Sequence, residues 1–140
     1  MSAPTTTSER FLQRHGLRCA LICASIFSST LDSSADDDIS FNRDIRPILA
    51  ENCFQCHGPD ARARKAKLRL DTRAGATADR NGLAAVVPSD ADGSLLIQRI
   101  TSGEEASRMP PAETGKALTP QQQELLRRWI AAGAQFERHW

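Results

Sequence analysis

The residues most able to do chemistry sit together in one short stretch. Residues 50 to 65 read AENCFQCHGPDARARK, with Cys53 and Cys56 three positions apart and His57 directly after the second. Two thiols at that spacing, on a turn entering a helix, reach two neighbouring vinyl groups of a porphyrin. The next residue then falls beneath the iron. The order Cys-x-x-Cys-His is therefore read as covalent attachment of haem c, one per chain. Other chemistries are open to the same residues. A structural disulfide would use both cysteines but leaves His57 without a role. A thioredoxin-type redox pair wants a βαβ pattern, which the flanks lack. Zinc wants four ligands, and beyond the leader described below only His139 is added.

A six-coordinate haem needs a second axial group. In an electron carrier that group is commonly a methionine, whose soft thioether favours ferrous iron and raises the potential. Met109 is the one methionine besides Met1. It lies in SRMPPAE, a polar loop, where a core-filling methionine would be out of place. Pro110 and Pro111 have fixed φ and stiffen that loop, so the sulfur can be offered to iron at little entropic cost. The expected metal ligands are thus His57 and Met109, with His139, next to last in the chain, as an exposed competitor. Arg108 is a candidate donor to a haem propionate. Arg62, Arg64, Lys65, Lys67 and Arg69 form a basic run just after the motif. Such runs are mostly solvated loops, and the functional reading is a docking rim for an acidic redox partner or a set of propionate donors.

The elements that must position these groups are short. Phe41, Ile45, Ile48 and Leu49 recur at helical spacing, which predicts a helix of about two turns delivering the chain to Cys53. Pro47 is tolerated there only in a first turn, with Asp44 as the cap. From 58 to 93 turn signals dominate, Asn81-Gly82 among them, and KLRLD (67–71) alternates enough for a short strand. Residues 94–100 predict a helix capped by Ser94. A long loop, 101–117, carries Met109, and loops of that length in small domains are usually functional. Thr119, Pro120 and Gln122 spell a capping box with proline at the first helical position. Leu125, Leu126, Trp129 and Ile130 follow on one face, and Gly133 marks the stop. Trp129 is either an ordinary core residue or a wall against the haem edge.

Residues 1–35 read differently. Arg10, Arg14 and Arg18 precede an apolar stretch of small residues, 17–31, and Ser33 to Ala35 supply a cleavage site, so a secretory signal cut after about Ala35 is expected. The domains would be 1–35, signal, and 36–140, haem domain. Three of the eighteen basic and two of the seventeen acidic residues fall in the leader. The remainder is balanced at fifteen of each, and no basic excess points to nucleic acid. No run of twenty apolar residues indicates a membrane span. Cys19 and Cys23 leave with the leader, so Cys53 and Cys56 are the thiols that an exported chain would pair or bind to something.

In sum the order of parts resembles the class I cytochrome c fold, and more narrowly the planctomycete-type cytochrome c domain. The resemblance rests on Pro47-Ile48-Leu49, on Cys53 to Pro59, on Ala66 to Asp71, on Met109-Pro110-Pro111, on Leu118 to Pro120, and on Trp129 to Ala134, across roughly residues 39 to 140. It implies an all-α fold, few short helices and long loops wrapped around a covalently bound haem, and a c-type cytochrome that transfers single electrons rather than an enzyme. Members of the family often carry Pro-Gly near position 89. Here the pair is Pro88-Ser89, so that turn must avoid positive φ or accept strain. The family domain often heads a much longer chain, so an electron-accepting piece of a larger oxidoreductase is one alternative. A haem domain with a labile distal site, peroxidase-like or gas-sensing, is another. With few aromatic residues, the haem itself should supply much of the core, and the apo form should fold poorly.

Overall fold

Pro47 governs how the chain enters the fold. The computed structural model describes residues 39–138; the leader expected at 1–35 and His139 lie outside them. A proline has no amide hydrogen for a helical ladder, and the helix is interrupted just ahead of it. Phe41–Ile45 form a π-turn, in which the Arg46 amide reaches Phe41 O. Helix α1, Arg46–Asn52, then starts afresh with Pro47 in its first turn. The cap is not Asp44. Ser40 caps the π-turn, its hydroxyl accepting from Arg43 N at 3.3 Å, while Asp44 Oδ2 accepts back from Ser40 N at 2.9 Å. A wide turn one residue longer than an α-turn moved the start of the helical stretch upstream, and Asp44 became the reciprocal partner.

Four more helices follow: α2 (Phe54–His57), α3 (Arg73–Ala76), α4 (Leu95–Ile100) and α5 (Pro120–Ala131), with a 3₁₀ turn at Ala112–Thr114. Among the described residues every regular element is helical, and the pair Val87 with Asp90 is an isolated bridge. The all-α expectation holds. The strand considered at 67–71 does not form. Ser94 does stand at the N-cap position of α4, but its hydroxyl makes no cap bond. It accepts from Val87 N and donates to Asp90 O instead, tying the turn before the helix rather than the helix itself.

Helix α5 forms as its sequence dictates. Both halves of the capping box close, Gln122 N to Thr119 Oγ1 at 3.2 Å and Thr119 N to Gln122 Oε1 at 2.9 Å. Leu126, Trp129 and Ile130 are fully buried and pack with Phe41, Ile45, Leu49 and Ile97. Trp129 stands against Phe41 (centroids 5.6 Å) and Phe136 (5.0 Å), and its indole N–H donates to Gln135 O. Gly133, at φ +101°, ends the helix. The chain then returns to its start: Glu137 accepts from the Phe41 and Asn42 amides, and Asn42 Nδ2 donates to Arg138 O. No helix among the described residues is long and apolar enough to cross a membrane.

Candidate functional site

Helix α1 hands the chain straight to the motif. Cys53 closes α1, its amide bonding to Leu49 O at 2.8 Å, and at once begins the α2 turn, accepting from Cys56 N at 3.1 Å and His57 N at 2.8 Å. Residues three and four apart on a helical turn face the same way, so Cys53, Cys56 and His57 share one side. Gly58 follows because nothing larger fits. A Cβ there would lie 2.3 Å from Phe54 O.

The loop after the motif is folded back onto it. Lys65 N donates to Cys56 O at 2.7 Å and Leu70 N to His57 O at 2.8 Å. Between them Ala66 and Lys67, both at positive φ, form a tight turn closed by Leu68 N to Lys65 O. Arg64 clamps the start of this loop, donating to Gly58 O and Pro59 O. Ala66, Leu68 and Leu70 thereby line a cavity together with the motif. The alternation that suggested a strand is real, but it serves a cavity wall.

That cavity, of about 280 Å³, brings the expected site residues together: Cys53, Cys56, His57 and Met109 all line it. Its other walls are largely aliphatic, with Leu83, Ala85, Leu95, Leu96 and Ile100 facing the motif. The Met109 loop is stitched to α4: Met109 N donates to Arg99 O at 3.0 Å, and the Arg99 guanidinium donates to Ser107 O at 3.1 Å. A second two-residue turn, Asn81-Gly82, has positive φ at both positions, the geometry that Asn-Gly favours. It sets Arg80 and Leu83 side by side on the cavity wall. Leu83 is 54% exposed, an unusual position for a large apolar side chain.

The electrostatics of the motif are those of groups taken out of water. Burial pushes the Cys53 thiol up to about 11, with the nearby Lys116 charge pulling the other way. Both cysteines are free, so no disulfide uses them. Burial also holds the His57 imidazole below its ordinary 6.5, opposed by the Lys65 backbone. His57 Nδ1 is buried without a hydrogen-bond partner. An orphaned buried nitrogen is costly. No group of three or more His, Cys, Asp and Glu side chains that could hold a bare metal ion occurs among the described residues.

Other expectations fall elsewhere. Trp129 lies in the aromatic cluster and not on the cavity wall. Arg108 lines a neighbouring polar groove rather than the main cavity. Within the basic run Arg64 is committed to carbonyls and Arg69 to an ion pair with Asp71, which leaves Arg62, Lys65 and Lys67 as exposed charges. Missed from sequence were Arg80, Arg99 and Lys116, all on the cavity wall. Arg80 and Lys116 stand in loops and Arg99 on helix α4, all apart from the motif in sequence, and only the Asn81-Gly82 turn signal hinted at the placing of one of them.

Paired thiols, an imidazole and a thioether thus line one largely apolar cavity. Residues 53–113 match the family model of planctomycete cytochrome C, the family that the sequence motifs resemble. No curated protein and no solved structure matches the chain. A cytochrome c domain implies haem binding, and the residues present fit that group: apolar walls for the macrocycle, two free thiols at the attachment spacing, and a half-buried imidazole on the same cavity.

Proposed function

We propose that the chain is an exported c-type cytochrome of class I type that carries single electrons between protein partners. The observation that carries this reading is the convergence of Cys53, Cys56, His57 and Met109 on one cavity. In it Cys53 and Cys56 would hold one haem c through thioether bonds, and His57 and Met109 would ligate its iron. When bound, the haem supplies a one-electron ferric–ferrous couple, reduced by a donor protein and reoxidised by an acceptor. Ligation of the iron by both His57 and Met109 would leave no coordination site for a substrate, which is why a carrier is favoured over an enzyme.

The protein supplies the rest. The aliphatic wall excludes water from the ligand sphere, and soft thioether ligation favours the ferrous form. The stitched loop from Arg99 to Met109 holds the sulfur in place. Residues 1–35 direct export, leaving 36–140 as the haem domain outside the cytoplasm. Arg62, Lys65 and Lys67, exposed beside the motif, with Arg64 and Arg69 behind them, offer an acidic redox partner a docking edge. Such docking weakens as salt rises.

The test is spectroscopic. The chain, expressed with its leader and a haem-maturation system, should carry covalent haem by pyridine haemochrome and by denatured mass. Its ferric form should be low-spin with a thioether-to-iron charge-transfer band. Met109→Ala should abolish that band and admit carbon monoxide to the ferrous form, with the haem still attached. Colourless protein of bare polypeptide mass would end the reading. Wild type that is high-spin and binds cyanide at once would replace the carrier with a haem domain open on its distal side.

A further inference from the structure

The main cavity carries a charge imbalance that the four ligating residues do not explain. Three cations, Arg80, Arg99 and Lys116, stand on its otherwise largely apolar wall, and no aspartate or glutamate lines it. None of the three belongs to an ion pair among the described residues, where the pairs are Arg43 with Asp44, Arg69 with Asp71 and Arg127 with Asp92. Arg80 and Lys116 are half-buried and Arg99 is exposed, so the wall holds positive charge that an anionic ligand can pair with. The complement is a flat apolar molecule bearing more than one negative group.

The two arginines are also pre-positioned. The Arg80 guanidinium donates to Ala78 O at 3.0 Å through Nη1 and to Gly75 O at 3.0 Å through Nη2. Its backbone is fixed by the two-residue Asn81-Gly82 turn, with Arg80 N bonding to Leu83 O at 2.7 Å. Carbonyl partners hold the side chain still without neutralising it. A guanidinium has five N–H donors, so two carbonyls leave three for a ligand. Arg99 is held by one such bond, to Ser107 O. Lys116 is spent differently, its ammonium donating to Glu51 O at the end of α1. Arginine's planar fork matches a carboxylate, where lysine offers only a point charge.

We infer that Arg80 and Arg99 bind the two propionate carboxylates of the haem and keep them ionised, Arg80 being the principal anchor. The inference rests on the haem reading above. Two consequences follow from it. The carboxylates stay charged at neutral pH because a guanidinium within bonding distance lowers a carboxyl pKa by about 1 to 3 units. Ionisation of a propionate is then felt at the iron, so the midpoint potential depends on pH around that pKa.

The experiment is redox titration of haem-loaded protein across pH 4 to 9 for wild type, Arg80→Gln, Arg99→Gln and Arg80→Lys, with Arg127→Gln as a control for a charge off the cavity wall. Expected is an inflection in midpoint against pH that moves up by about one pH unit in Arg80→Gln, less in Arg99→Gln, and returns toward wild type in Arg80→Lys. Arg127→Gln should leave it in place. If Arg80→Gln loads no haem, Arg80→Lys decides: loading restored by the retained charge supports the assignment, and equal failure overturns it. Loaded Gln variants whose pH profiles match wild type also overturn it, while absence of covalent haem from wild type would refute the haem reading instead.

Discussion

Gly58 is the residue at which a single methyl group tests how the site is built. Its φ of −115° is open to any residue, so the demand for glycine is one of space rather than of conformation. A Cβ added there would stand 2.3 Å from Phe54 O, 2.8 Å from Phe54 Cβ and 2.9 Å from Phe54 C. Ordinary carbon–oxygen contacts lie near 3.3 Å or beyond, so something must move by about 1 Å. The obstructing oxygen belongs to the backbone of the α2 turn and cannot swing aside as a side chain would. Overpacking of this kind costs about 1 to 3 kcal/mol, and with a rigid backbone on one side the upper end applies. A loss of about 3 kcal/mol lowers the folded-to-unfolded ratio roughly a hundredfold. The displaced turn is the one that carries Cys53, Cys56 and His57, so haem loading should fall as well. Gly103 provides the internal control, because a Cβ there meets nothing within 4 Å, and Gly103→Ala should shift stability by less than about 1 kcal/mol. Urea unfolding followed by far-ultraviolet circular dichroism, with the haem-to-protein ratio measured on the same samples, checks both. Gly58→Ala within about 0.5 kcal/mol of wild type and fully loaded, or no worse than Gly103→Ala, would refute this account of the turn.

Two further outcomes are expected. Ser89 holds φ +66° with its amide bonded to Ile130 O, the strained alternative left open by Pro88-Ser89, so Ser89→Gly should stabilise by about 0.5 kcal/mol after the entropic cost of glycine, read as a rise in urea midpoint at unchanged slope. The Glu137 carboxyl lies below its ordinary 4.5, held there first by hydrogen bonding at Ser40 and then by the Asn42 and Phe41 amides. A depressed carboxyl contributes stability that is present above the unfolded value and is lost as pH falls through the folded one. Glu137→Gln should therefore weaken the fold at neutral pH and flatten its loss of stability below about pH 4.5, checked by acid titration of both proteins.

What could be read from the chain divides by range of interaction. The attachment turn, the Met109 loop and the capping box of α5 are specified by residues within a few positions of one another, and local chemistry decides them. Asp44 and Ser94 went astray although both stand beside helix starts. In each case a hydroxyl or carboxylate had two backbone groups within reach, and packing chose between them. The alternation at 66–70 was visible, but its meaning was not: the segment faces a cavity, and the backbone bonds of that loop run to Cys56 and His57 instead of to another strand. Arg80, Arg99 and Lys116 were invisible as a group, because isolated charges on loops and on a short helix look alike until the fold brings them to one wall. Those three are also the residues whose placement the chain alone does not require. Their charges face a volume that the described side chains leave to something else. Arg80, Arg99 and Lys116 belong to no ion pair among the described residues, whose pairs are Arg43 with Asp44, Arg69 with Asp71 and Arg127 with Asp92, so an anionic ligand would complete the electrostatics of that wall.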